Sequence, residues 1–258
     1  MEKSFLLSQG ELQIPCKLST PDYGQIQRIV LSVHGFGGSA DDAIQEGISE
    51  EMVLFSSASL RFDFPAHGSS PLDDRFFTLE NCLQSLLAAA GYLKEQFPQV
   101  SDLCIFATGF GAYVTLVALQ DLLALTENIR LVIQTPSVMM HETLLKMARV
   151  SKETFRAIDK VTIRAKRPFD VCYRFYEALA ANIVLAPYPI PMLILHGEQD
   201  DYISMDHIQQ FHRINEDSKL VIIPGTSHQF REAGAWDMVL DLTRDWFEFQ
   251  QVLLSDWN

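Results

Sequence analysis

The chain has 258 residues, 48% of them hydrophobic, and a formal net charge of −13. That length and apolar content suit a single α/β domain over 1–258 with a sizeable core, and no stretch is polar enough for disorder. The acidity argues against a nucleic-acid partner and against docking on an anionic membrane, which would repel the chain.

In chain order, the opening MEKSFLLSQGELQ has only a short apolar run and no small-residue cleavage pattern. No signal peptide is expected, and a cytoplasmic location is the default. No apolar run reaches the roughly 20 residues of a membrane helix. Residues 3–8 and 11–18 straddle Gly10 and read as a hairpin. Residues 27–34 (QRIVLSVH) form a near-continuous apolar run, as expected of a strand covered on both faces. Residues 59–64, 102–107, 130–134, 192–196 and 219–223 repeat the pattern. Between them, helical periodicity runs over 78–97, 110–125, 205–214 and 233–254. A hairpin followed by βα units predicts a mostly parallel mixed sheet with helices on both faces.

One segment breaks this rhythm. Residues 140–189 contain two or three amphipathic helical stretches, no clear core strand, and a basic patch at Arg164, Lys166 and Arg167. An ordinary connection takes roughly 2–6 residues, so a small helical cap inserted over the sheet is expected. The four cysteines (Cys16, Cys82, Cys104, Cys172) lie far apart with no metal or CxxC spacing, so free thiols are expected.

Four stretches follow predicted strands and should emerge along one sheet edge, where open α/β folds place their sites. VHGFGGSADD (33–42) is glycine-rich. Gly35, Gly37 and Ala40 fit a dinucleotide fingerprint, but Asp41 and Asp42 would sit beside the pyrophosphate. As an oxyanion loop, the same stretch offers the backbone N–H of Phe36. CIFATGFGAY (104–113) is a strand, a tight glycine turn and a helix start, the geometry that lifts a nucleophile out of the chain. At its tip stands Gly109, where serine is expected. MLILHGEQDDYI (192–203) places Asp200 in a loop beyond a strand, with Asp201 as the neighbouring alternative. LVIIPGTSHQF (220–230) does the same for His228. A carboxylate and a loop imidazole in this order can pair, the Asp fixing the tautomer and the His moving protons.

Together with LRFDFPAHGSS (60–70), these motifs make nearly the whole chain resemble the α/β-hydrolase superfamily. Small bacterial carboxylesterases, including cinnamoyl and feruloyl esterases and acylglycerol lipases, are the branches it is most similar to. The resemblance implies that Asp200 is the acid, His228 the base, and the N–H groups of Phe36 and Phe110 the oxyanion hole. Asp63 and His67 are structural in that pattern. The nucleophile position falls on Gly109. Shifting the register to Thr108 would put Phe106 and Phe110 where small residues are needed.

The function this implies is a serine-hydrolase-type carboxylesterase scaffold for a small-molecule ester or acyl ligand, weak or inactive as written and needing no cofactor or metal. Phe155, Phe169, Tyr173, Phe175 and Tyr176 are candidates to line the substrate site from the cap, with cap packing as the plainer role. Two alternatives stand beside it: a pseudoenzyme that binds a small molecule in the retained pocket, and cofactor-free His–Asp general-base catalysis without a covalent intermediate.

Overall fold

The computed structural model describes residues 1–126 and 128–250. Strands β1 (Glu2–Gln9) and β2 (Leu12–Ser19) form the expected antiparallel hairpin, with Gly10 at φ +57° making the turn. The remaining strands of the main sheet are β3 (Arg28–Val33), β4 (Ser57–Phe62), β5 (Leu103–Thr108), β6 (Ile129–Gln134), β9 (Met192–Gly197) and β10 (Lys219–Ile223). The order across the sheet is β1-β2-β4-β3-β5-β6-β9-β10, with β2 antiparallel to both neighbours and every pair from β4 to β10 parallel.

The central strands β3, β5, β6 and β9 are covered on both faces, which is why they read as near-continuous apolar runs. Along β5 the side chains alternate: Leu103, Ile105 and Ala107 enter the larger core, while Cys104 and Phe106 enter the smaller one. The smaller core is built with α1 (Ala43–Leu54) and α9 (Ala235–Phe249). The larger includes α2 (Leu79–Gln96), α3 (Gly109–Val117), α4 (Leu119–Leu125) and α8 (Met205–Ile214). Thr78 caps α2 by accepting the Asn81 N–H at 3.1 Å.

Several expectations need correcting. The strand expected at 59–64 lies at Ser57–Phe62, which frees Asp63 and Phe64 for the following loop. The helix expected over 110–125 is two helices, broken at Ala118. Residues 251–254 of the last expected helix lie outside the described residues. The α1 helix was not expected at all. Its buried face is Gln45, Ile48, Ser49 and Met52, half of it polar, so the apolar stripe is too short to read.

Between β6 and β9 the chain makes its excursion: α5 (Met140–Ala148), α6 (Lys152–Ile158), a two-stranded antiparallel sheet of β7 (Lys160–Ile163) and β8 (Phe169–Cys172), and α7 (Tyr173–Ala181). Three helices match the reading of 140–189, and neither strand joins the main sheet. The hairpin itself was missed because each strand has only four residues. Among the described residues no helix is long and apolar enough to cross a membrane.

Candidate active site

The turn after β5 is built by close approach. A Cβ on Gly111 would lie 2.5 Å from the His34 carbonyl oxygen and 2.6 Å from that of Val33, so only glycine lets α3 start against the end of β3. Both obstacles are backbone and cannot step aside. Gly111→Ala is therefore expected to destabilise the fold by about 1–3 kcal/mol, read as a lower urea midpoint; an unchanged midpoint would contradict this packing.

Gly109 has φ +48°, and a Cβ built there meets nothing within 4 Å. The left-handed residue of the turn is thus Gly109. Thr108 is ordinary extended chain at φ −112°, and Phe106 and Phe110 are buried, which removes the alternative register. Cys104 is buried within β5, and burial pushes its thiol up to about 12. As expected, all four cysteines are free thiols, with Cys172 exposed.

Beside the turn lies the loop after β3. Among the described residues the Phe36 N–H has no acceptor, whereas Gly37 N–H donates to His67 Nε2 at 3.0 Å and Gly38 N–H to the Gly35 carbonyl at 3.1 Å. Phe110 occupies the first turn of α3, where a backbone N–H has no intrahelical acceptor. The loop is held by Asp63, whose Oδ1 accepts the Ala40 N–H at 2.7 Å and whose Oδ2 accepts the N–H and hydroxyl of Ser69 at 2.8 Å.

Two buried imidazoles complete this framework. His34 Nε2 accepts the Phe64 N–H while its Nδ1–H donates to the Gly35 carbonyl, and His67 Nδ1–H donates to the Pro65 carbonyl. Each therefore needs one bare nitrogen. Burial lowers the pKa of His34, and burial, aided by His34, lowers that of His67 to about 3. Above the unfolded value near 6.5 both states are neutral and the full stability is present. Below it, the unfolded chain takes protons that the folded chain refuses. Stability should fall as the pH drops from about 6.5 towards 3, by about 2 kcal/mol at pH 5 from His67 alone. Urea unfolding at pH 7 and pH 5 checks this, and equal midpoints would refute it.

Asp200 and His228 come together because β9 and β10 are parallel neighbours whose following loops are stitched by backbone. Glu198 N–H donates to the Ile223 carbonyl and Gln199 N–H to that of Thr226, and a Cβ on Gly197 would meet the Thr226 carbonyl at 2.4 Å. Asp200 Oδ1 accepts the N–H groups of Tyr202 (2.8 Å) and Ile203 (2.9 Å), and Oδ2 lies 2.8 Å from His228 Nδ1. The carboxylate is wholly buried and the imidazole 28% exposed. Burial alone would raise the Asp200 pKa. The His228 hydrogen bond and charge, with the two N–H groups, outweigh it and hold the carboxyl below its ordinary value. Asp201, the alternative acid, is exposed, and its carbonyl accepts a hydrogen bond from Lys146.

No protein-family model and no curated protein matches the sequence. Solved structures do match in fold. Est1E from Butyrivibrio proteoclasticus, with ferulic acid bound, superposes with a TM-score of 0.83 at 19% identity, covering 95% of this chain and 98% of that one. Alpha/beta hydrolase domain-containing protein 10 from mouse gives 0.73 at 15%, covering 96% and 100%. The fold is that of the α/β hydrolases. The esterase domain of a Rhodothermus marinus protein gives 0.70 at 18% identity, covering 95% and 96%.

On this α/β-hydrolase fold, Gly109, Asp200 and His228 follow β5, β9 and β10, all at the carboxyl ends of parallel strands. The aromatic candidates from residues 140–189 divide by their partners. Phe155, Tyr173 and Tyr176 are buried against one another, with ring centroids 5.4 to 6.1 Å apart, and belong to the larger core. Phe169 and Phe175 instead reach the body. The Phe169 ring lies 4.4 Å from His67 and 5.2 Å from Phe36, and Phe175 lies 6.0 Å from Phe110.

Two features had no signal in the sequence. The Tyr202 ring lies 5.1 Å from that of His228. A cleft of about 370 Å³ opens beside the acid loop, between Thr143 and Lys146 of α5 and Tyr202, Ser204 and His207; Gly109 and His228 do not line it.

Proposed function

We propose that this is an acyl-transfer site of carboxylesterase type, for small esters, from which the nucleophile is absent. The observation that carries the reading is Gly109. It holds a left-handed turn with free space over its α-carbon, in a chain that keeps a buried carboxylate bonded to a partly exposed imidazole.

The assigned roles follow from charge and proton needs. Phe36 and Phe110 N–H groups receive the oxygen of an ester or acid carbonyl, and they stabilise it most when it carries negative charge. Asp200 holds His228 with Nδ1 protonated, so Nε2 is the basic nitrogen that takes a proton and returns it to a leaving alcohol. With a hydroxyl on residue 109, that nitrogen would deprotonate it for attack on the carbonyl carbon, and water would later release the acid. With glycine, no acyl-enzyme forms. The chain as written then binds esters and carboxylic acids and turns them over slowly at most.

The test is hydrolysis of a short aryl ester by the protein as it stands and by its Gly109→Ser variant. Activity in the variant alone is expected; two equally inactive proteins would count against the esterase reading. Ferulic acid, the ligand in the Est1E structure, is the first acid to try for binding.

A further inference from the structure

The basic residues at 164–167 have no role in the chemistry above, yet the structure gives two of them specific partners. They sit in the turn between β7 and β8, at the tip of the cap hairpin. Three consecutive side chains there engage the two loops that surround the Phe36 amide. The Ala165 methyl packs on Gly37 so closely that a Cβ on Gly37 would lie 2.8 Å from it. Lys166 Nζ pairs with Asp42 Oδ1 at 3.0 Å, and the other oxygen of Asp42 accepts the Ser39 N–H at 2.9 Å. The Arg167 guanidinium donates to the Ser70 carbonyl at 2.7 Å and reaches those of Gly68 and Leu72 at 3.5 and 3.4 Å.

These contacts close a circuit. Arg167 grips the chain that carries His67, and His67 accepts the Gly37 N–H, one residue beyond Phe36. The start of β8, just after the tip, is fixed as well: Asp170 N–H donates to Asp74 Oδ2 at 3.0 Å, and the buried Phe169 ring packs on His67 and Phe36. Lys166 is largely exposed, so its ion pair adds little. The guanidinium on three carbonyls and the Ala165–Gly37 contact carry the hold.

We propose that the β7–β8 hairpin tip, led by Arg167 and Ala165, is a positioning element that fixes the oxyanion loop so that the Phe36 N–H points at the site. The cap thereby completes the site as well as covering it. This rests on the reading of Phe36 as an oxyanion donor, and the test separates the two. A donor is worth its rate effect only when held in place, since a displacement of about 1 Å can cost up to about a hundredfold.

The first measurement is amide hydrogen exchange on the full chain with glycine retained at 109. In Arg167→Met, and independently in Ala165→Gly, exchange at Gly37 N–H should accelerate at least tenfold while β5 and β6 amides keep their rates. Arg167→Lys, which keeps the charge on a single donor nitrogen but loses the guanidinium fork, should fall between. Unchanged exchange at Gly37, or acceleration of all amides together, overturns the proposal.

The second measurement adds Arg167→Met to the Gly109→Ser variant. There kcat should fall about tenfold with KM altered less than about twofold. Loosened Gly37 exchange with kcat unchanged also overturns it. If Gly109→Ser has no esterase activity, the functional reading fails, while the exchange result still decides whether the hairpin holds the loop.

Discussion

Gly109→Ser should raise hydrolysis of a short aryl ester by at least about a thousandfold and produce a burst of acyl-enzyme. In a serine protease, removing the nucleophile costs on the order of 10⁶ in turnover, so restoring it has ample range. The local geometry favours the restoration. Nothing lies within 4 Å of the position a Cβ would take, so the hydroxyl enters without displacing a neighbour. The cost is backbone conformation. A non-glycine residue at φ +48° sacrifices about 1–3 kcal/mol, against a typical total stability of about 5–15 kcal/mol. The variant should fold with a modestly lower urea midpoint. Gain of function at some loss of stability is the combined signature to look for.

The second large effect is a non-additive loss. Adding His228→Ala to Gly109→Ser should return the rate to that of the unmodified chain, because nucleophile and base act as one unit. In the same Gly109→Ser background, Asp200→Asn should remove most of the gain, since the amide presents Nδ1 with the wrong partner and tautomer while leaving the shape intact. In the unmodified chain, where glycine stands at 109, His228→Ala should change little. Residual activity that disappears with the imidazole would instead favour direct general-base chemistry, in which His228 acts on water without a covalent step.

Much of the site was legible because its residues follow strands. HGEQD and PGTSH each begin where an apolar run ends, and parallel neighbours bring such loops to one edge. The Asp200–His228 contact at 2.8 Å follows from that register. The turn at Gly109 was legible for the same reason: Gly111 betrays a helix start pressed against a strand end.

What was not legible depends on partners distant in sequence. Helix α1 buries Gln45, whose Oε1 accepts the Ser32 hydroxyl at 2.7 Å, and a glutamine satisfied in this way looks like a surface residue in a sequence. The basic patch gave no sign of its partners: those of Arg167 are main-chain carbonyls about a hundred residues away in the chain. The packing partners of the aromatics between 140 and 189 could not be read from composition. Phe155 and Phe169 are alike in sequence terms, yet one packs on Tyr173 and the other on His67.

The most direct test of the central claim, that Gly109 stands at the position of a missing nucleophile, is covalent labelling. The unmodified protein and the Gly109→Ser variant are incubated with a fluorophosphonate ester and weighed intact, and the adduct is mapped by peptide. One label on residue 109 in the variant, none in the unmodified chain, and loss of the label when His228→Ala is added is the result expected. A variant that folds but takes no label there, or an unmodified chain that is labelled elsewhere at the same rate, would contradict the assignment.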